Sequence, residues 1–303
     1  MDLPVAELAE AEALYQLVSG TPSPAAERLG VGCSRFAGGV ALMMRDDPAS
    51  FWCKALGLGF SEPITPRLVR QLCGVYRDHG VSGFVLQLAH AVLPPGWDGI
   101  CAANLLTEGN RWLKLAHSLA DIEPPPATGP QVSVVSPDEA GQWASVLVRG
   151  FGMPARGYVE MLAATVGKPG FRAYAAWDSD RLVAAALMSY YQDVAHLAGS
   201  ATLPGCRGEG AQTALIAARL RDAQAAGCRR AYAETRQEAG PRNPSLHNLR
   251  RAGFDVLYER VNWLWRGPGQ ARPAWAPAAR RLLRGPAGQR LFRDPAAVLA
   301  PGG

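Results

Sequence analysis

Apolar residues along the chain alternate between two periods. From Pro66 to His79 they fall on one helical face, and the run stops at Gly80. Gly83–Leu88 (GFVLQL) then reads as a buried strand. The same order returns further on. Ala211–Ala226 is helical, with Ile216, Leu220 and Ala223 on its inner face; it stops at Gly227, and Arg229–Thr235 follows as a strand. After each strand come a loop, a short helix (Trp97–Asn104; Pro244–Ala252) and a strand rich in Trp and Leu (Arg111–Leu115; Val256–Trp265). Sliding one half by 147 positions sets Gly80 on Gly227 and Gln87 on Glu234. This order points to an internal duplication. The competing reading is that helix–Gly–strand recurs in any α/β chain.

The rest of the second half follows the same logic. Val132–Val135 alternates with period two and predicts a strand; Asp138–Val148 predicts a helix, with Ser136 as N-cap and Pro137 at its first position. Gly157–Val166 predicts another helix. Phe171–Trp177 and Arg181–Tyr191 predict a hairpin turned by Asp178-Ser-Asp, and Val194–Leu203 one continuous strand. Strand pairs followed by helices predict an α/β (α+β) fold with a mixed sheet and helices on both faces. The Pro-rich stretch Glu123–Pro130 reads as a linker. It divides the chain into 1–122 and 131–266, followed by a tail, 267–303, in which Ala278–Leu283 has helical spacing. The N-terminal segment MDLPVAELAEAEALYQL reads as acidic and amphipathic, without the basic head of a signal peptide.

Composition narrows the function classes. Of 303 residues, 48% are apolar and 19% charged, enough for real cores. The net charge is +5, but the basic residues, nearly all arginine, are scattered and argue against a nucleic-acid face. The six cysteines form no C-x-x-C pair, so no metal is expected, and they read as reduced thiols of a cytoplasmic protein. No apolar run approaches a membrane span. The expected partner is a small molecule, with no nucleic acid and no membrane, on a monomer or homodimer.

The richest passage is Ala201-Thr-Leu-Pro-Gly-Cys-Arg-Gly-Glu-Gly-Ala-Gln-Thr-Ala-Leu215. A strand stops at Pro204, a tight turn carries Arg207, Gly208, Glu209 and Gly210, and a helix opens at Ala211 and Gln212. The first turn of a helix has unpaired N–H groups and a partial positive charge, which suit a phosphate. The glycines let backbone approach a diphosphate, Arg207 adds charge, and Glu209 is expected to point to solvent. The loop is neither a Walker loop nor a dinucleotide fingerprint. Downstream, Asn243 is a good N-cap, Pro244 a good first residue, and Gly253-Phe254 closes the short helix.

This ordered set resembles the GNAT family of N-acyltransferases, whose hallmark is (Arg/Gln)-x-x-Gly-x-(Gly/Ala) opening the helix after a central strand. Arg207 and Gly210 match it, and Gln212 replaces its last small residue. Asn243, Gly253 and Phe254 match the family's later Asn…Gly-Phe segment. The resemblance covers about Gln131 to Trp265. It implies a V-shaped split between two central strands with acetyl-coenzyme A inside. The pyrophosphate would lie on Arg207–Gln212, the pantetheine arm would pair with backbone near Thr202 and Leu203, and Asn243 would border the arm. The first half looks like a degenerate copy, with Glu62, Pro63 and Pro66 where a cradle should be. The whole is a tandem GNAT-like arrangement, similar in layout to the mycothiol synthases, although no residue marks a mycothiol precursor as substrate.

Direct acyl transfer needs a base for the amine and donors for the thioester oxygen. The family's usual acid, a tyrosine before the Gly-Phe pair, falls at Leu249. Glu234 and His196 are the candidate catalytic residues. The bland readings are a surface carboxylate paired with Arg229 or Arg236 for the first, and a structural strand histidine for the second. His247, Tyr190, Tyr191 and Cys206 are weaker candidates. The resemblance implies N-acetylation of a small primary amine by direct attack in a ternary complex. The alternatives are a coenzyme-A-binding sensor or scaffold, and a protein or peptide N-acetyltransferase.

Overall fold

The computed structural model describes residues 2–47, 51–120, 129–237 and 243–267. The first half runs α1 (Leu3–Ser19), α2 (Ala25–Leu29), β1 (Val31–Phe36), β2 (Gly39–Met44), β3 (Lys54–Leu56), α3 (Pro66–Asp78), β4 (Gly83–Ala89), α4 (Trp97–Asn104) and β5 (Leu106–Ser118). The second runs β6 (Gln131–Val134), α5 (Ala140–Gly150), α6 (Tyr158–Ala163), β7 (Phe171–Asp178), β8 (Arg181–Tyr191), β9 (Val194–His196), β10 (Ser200–Thr202), α7 (Ala211–Ala225), β11 (Arg230–Arg236), α8 (Pro244–Arg251) and β12 (Asp255–Arg266).

All twelve strands join one mixed sheet, in the order β1-β2-β3-β4-β12-β5-β11-β9-β8-β7-β6, with β10 paired to β8. The order holds an exchange. β5, last strand of the first half, lies against β11 of the second. β12, last strand of the second half, lies against β4 of the first. The two exchanged strands also pair with each other along most of their length. The fold is thus two tandem GNAT-like sheets fused edge to edge, each completed by a strand from the other half.

The periodic segments form as their patterns require. α3 starts where the Thr65 hydroxyl accepts the N–H of Leu68, with Pro66 at its first position. It buries Leu68, Val69, Leu72, Cys73 and Tyr76 at helical spacing. The 3₁₀ turn Pro137–Glu139 leads into α5 with a capping box between Ser136 and Glu139. Ser179, at φ 52, turns the β7–β8 hairpin.

Three expectations are corrected. Val194–Leu203 is not one strand: it breaks after His196, and β10 resumes at Ser200. Gly199 at φ 21 and a tight Ala198 N–H to His196 carbonyl bond fold the chain out of the ladder. The helix expected at Gly157–Val166 is shorter, with Gly157 as its left-handed N-cap. The N-terminal helix is not amphipathic. α1 lies across the joined sheets, packed on β1, β2, β8 and β9, and buries Glu7 and Glu10 along with Ala6, Ala9, Leu14 and Leu17. The tail helix and most of the Pro-rich linker lie outside the described residues. Among the described residues no helix is long and apolar enough to cross a membrane.

Candidate functional site

The central feature is a fork in the sheet. β9 runs parallel to β11 through the rung His196–Tyr232, and Leu197 donates once more to the Tyr232 carbonyl. Past that point β10 pairs with β8, while Ala233–Arg236 pair with β5. A V-shaped split opens between β10 and β11. The bonds Leu187 N–H to Gly199 carbonyl and Leu203 N–H to Val183 carbonyl show which groups of β10 face β8. By alternation, Ser200 and Thr202 turn theirs toward the split. Leu203 is fully engaged, since its carbonyl also accepts from Cys206. Of the two expected arm-pairing residues, Thr202 therefore presents backbone to the split and Leu203 does not.

The far side of the break is held by Arg219 of α7. This buried guanidinium donates to the carbonyls of Leu215 (3.1 Å), Leu187 (3.3 Å) and Ala198 (3.4 Å). Burial pulls its pKa down to about 10.

At the open end of the split stands the N-terminus of α7. Gly208 (φ 87) and Gly210 (φ 83) are both left-handed, and Gly210 is an N-cap with no side chain to satisfy the helix. The first backbone bond inside α7 is Ala214 N–H to Gly210 carbonyl, at 3.0 Å, so the amides of Ala211, Gln212 and Thr213 lack that kind of partner. A methyl group placed on Gly208 would meet no heavy atom within 4 Å. The Glu209 side chain is exposed, as expected. Arg207 is exposed too, and its guanidinium lies on the carbonyls of Thr202 (3.4 Å) and Gly150 (3.2 Å), tying the loop to the end of α5. These features fit a diphosphate: uncapped amides, room at glycine and a cation alongside. An open depression on the loop's other side is lined by Gly129, Pro130, Trp177, Asp178 and Glu209, and its carboxylates suit no phosphate.

The first half has the same fork without the cradle. β3 and β4 pair in parallel at Lys54–Val85 and Ala55–Leu86. But Thr65 caps α3, Pro66 removes a donor, and Leu58, Ile64, Trp97 and Leu88 pack into a continuous core there.

The side chains of Gln212 and Asn243 also brace the elements around the split. The Gln212 amide receives Asn248 (2.7 Å) and donates to Ser245 (3.3 Å), bracing α7 against α8. Asn243 accepts the Leu246 N–H at 2.9 Å and donates to the Arg236 carbonyl at 2.6 Å. Its side chain anchors α8 beside the split. Leu249 is buried and offers no acid.

The structure brings Glu234 and His196 together at the apex of the fork. His196 Nε2 meets Glu234 Oε2 at 2.7 Å. Glu234 is no open surface carboxylate: its side chain is 9% exposed and its other oxygen receives Lys114 Nζ at 2.5 Å, while Arg229 pairs with Asp193 instead. Lys114 donates on to Glu10 at 2.7 Å and to the Ala6 carbonyl at 3.1 Å. Arg260 ties Glu10 (3.0 Å) to Glu7 (2.8 Å), and the Tyr258 hydroxyl donates to Glu7 at 2.8 Å. Burial and the charge of Glu10 push the Glu234 carboxyl up; His196 and Lys114 outweigh them and hold it below its usual value. Burial likewise raises Glu10, but Arg260 and Lys114 hold it well below. Burial alone would lower the Lys114 amine, but Glu10 and Glu234 bring it above its usual value. His196 Nδ1 and the hydroxyl of Ser189, its neighbour across the β8–β9 ladder, are buried without a hydrogen-bond partner.

The weaker candidates stand elsewhere. His247 is exposed, Cys206 is buried, and Tyr190 lies beside Arg172 at the strand end. Glu7, Glu10, Lys114 and Arg260 were not singled out in the sequence. An acidic pair one turn apart on an alanine-rich helix carries no sign that strands remote in sequence will cover it.

Comparison with known proteins agrees with this geometry. The model of the acetyltransferase (GNAT) family matches residues 149–254. No curated protein matches the chain. A GCN5-related N-acetyltransferase from Kribbella flavida superposes with TM-score 0.59 at 19% identity, covering 88% of this chain and 96% of its own. Another from Sphaerobacter thermophilus gives 0.55 at 17%, covering 80% and 77%. A tandem GNAT protein of the clavulanic acid biosynthesis pathway gives 0.52 at 16%, covering 89% and 95%.

Proposed function

We propose that this protein moves an acetyl group from acetyl-coenzyme A to a primary amine of a small molecule, by direct attack in a ternary complex; the match of the acetyltransferase (GNAT) family model to residues 149–254 and the likeness of the fold to tandem GNAT proteins support this reading. The observation that carries this reading is the uncapped, glycine-lined N-terminus of α7 at the mouth of the β10–β11 split. Ala211, Gln212 and Thr213 would hold the diphosphate by their amides, with Gly208 and Gly210 giving room and Arg207 charge. Thr202 would pair with the pantetheine arm by its backbone. The coenzyme supplies an activated thioester. Glu234, kept ionised by His196 and Lys114, accepts the amine's proton through the His196 ring, whose Nδ1 is its second polar atom. The coenzyme thiol leaves without the family's tyrosine, which its pKa of about 8.5 permits. Cys206, being buried, is a poor acyl carrier.

A second reading, a coenzyme-A-binding protein without turnover, is favoured by the burial of His196, partner of Glu234, and by Leu249 at the acid position. Calorimetric titration with acetyl-coenzyme A should show binding that Gly210→Asp abolishes, since the new carboxylate lies where the diphosphate would. Undiminished binding by that variant sinks both readings. Thiol release across a panel of free amines supports the enzyme. Release with peptides alone would move the acceptor to a protein terminus, and binding without any release would leave the sensor.

A further inference from the structure

The exchange of strands has a chemical consequence at the apex of the fork. Lys114, which contacts Glu234 at 2.5 Å, belongs to β5, a strand of the first half. Glu10, which shares Lys114 at 2.7 Å, belongs to α1 of the same half. Three carboxylates, Glu7, Glu10 and Glu234, surround two close cations, Lys114 and Arg260. Lys54 also acts on the cluster: it is buried, with its amine 3.3 Å from the Phe51 ring centre, and burial lowers that amine to about 8 while Glu10 and Glu234 pull it back up. Tyr258 faces the group from β12, and Tyr191, Ser189 and Tyr232 share its side of the sheet. Arg236 lies two residues along β11 on the same face as Glu234, and beside His196 the first half supplies Lys114 and Glu10, which act on the Glu234 charge with opposite sign.

The duplicated positions show that this arrangement is specific to one fork. Val85 and Tyr232 are the matching residues of β4 and β11, so Lys54 stands where His196 stands, and Gln87 where Glu234 does. Asn262 of the exchanged strand β12 lies opposite Gln87, as Lys114 of β5 lies opposite Glu234. In the first half the bond is Gln87 to Asn262, 2.8 Å, between two neutral amides. The position that joins the halves is neutral in one fork and charged in the other.

We infer that Lys114 and Glu10 are positioning residues for the reaction proposed above, and that the first half, rather than binding a coenzyme, sets the protonation of the Glu234–His196 pair in the second. This rests on the assignment of that pair to proton transfer. Lys114 favours the ionised carboxylate, and Glu10 opposes it. The two therefore act with opposite sign, which general damage to the fold does not imitate.

The test uses the full chain and two readouts. The first is the pH dependence of thiol release from acetyl-coenzyme A, with the best amine of the panel. The second is the pH titration of the His196 ring by NMR on histidine-labelled protein, which needs no acceptor. Lys114→Met should move the midpoint of the pair's titration upward by about one unit or more, and Glu10→Gln should move it downward. Lys114→Arg, which keeps the charge, should restore the wild-type midpoint. Asn262→Leu, the counterpart change in the other fork, should leave it in place. Shifts of the same sign for Lys114→Met and Glu10→Gln, or no shift in either, overturn the inference. If Lys114→Met does not fold, Glu10→Gln and Lys114→Arg decide. The stated shifts on the His196 ring without thiol release from any acceptor would uphold the electrostatic control and refute the proposed turnover.

Discussion

Single residues in this protein do their work through what they leave open. Gly208 and Gly227 make the point as a pair. Both are left-handed, at φ 87 and 80, both flank α7, and an added methyl would meet nothing in either place. Alanine at either position should cost the same backbone strain, roughly 1–2 kcal/mol. Only Gly208 stands where the diphosphate would lie. Gly208→Ala should therefore weaken acetyl-coenzyme A binding about tenfold or more, and Gly227→Ala should leave it unchanged. Calorimetric affinities beside urea melts of both variants check this; equal affinities would remove Gly208 from the site. Asn243 carries the opposite lesson. It was legible as an N-cap because Asn-Pro before an apolar run is a local signal, and the cap is present. Its further bond to the Arg236 carbonyl joins α8 to β11, which a sequence cannot show.

Among elements, α1 and the broken strand matter most. The α1 segment read as acidic and amphipathic, and its burial was not legible, because glutamates among alanines suggest a solvated face. What overrides the pattern is Arg260 and Lys114 arriving from strands far along the chain. Removing one partner of such a buried pair typically costs about 3–5 kcal/mol, because the other charge stays buried alone. The sign of its pH dependence follows from the lowered Glu10 and Glu234 carboxyls. Their contribution is present above the unfolded carboxylate pKa of about 4.3 and is lost as pH falls through the folded values. Stability from urea melts should hold from pH 7 to about 5 and drop below about 4, with a shallower drop in Glu10→Gln. An acid limb unchanged in that variant would contradict the assignment. The break between β9 and β10 was missed for a related reason. Val194–Leu203 holds mostly small and apolar residues that suit a strand, and only Gly199 hints at the turn that Arg219 fastens from behind.

For the molecule as a whole, the exchange of β5 and β12 makes each half incomplete alone. Without β12, the edge of β4 is bare and β5 has no neighbour; without β5, the same holds for β11 and β12. Fragments 1–122 and 131–303 expressed separately should aggregate or stay unfolded, and should co-purify in equal amounts when expressed together. Two fragments that each fold alone, by circular dichroism and size exclusion, would refute this. The sequence by itself determined the repeated helix–strand order, the caps, the hairpin and the glycine loop, since each depends on neighbours a few residues apart. It also brought Glu234 into view, as the partner of Gln87 in the repeat. Only the tertiary structure decided that the halves trade their last strands, that the strand at the fork is broken, and that Glu234 is held between His196 and a lysine from the other half. The exchange and the Lys114–Glu234 contact join segments more than a hundred residues apart, Lys114 and Glu234 at a separation of 120, while the break and the His196–Glu234 contact rest on partners 21 and 38 residues away; no local pattern encodes any of them.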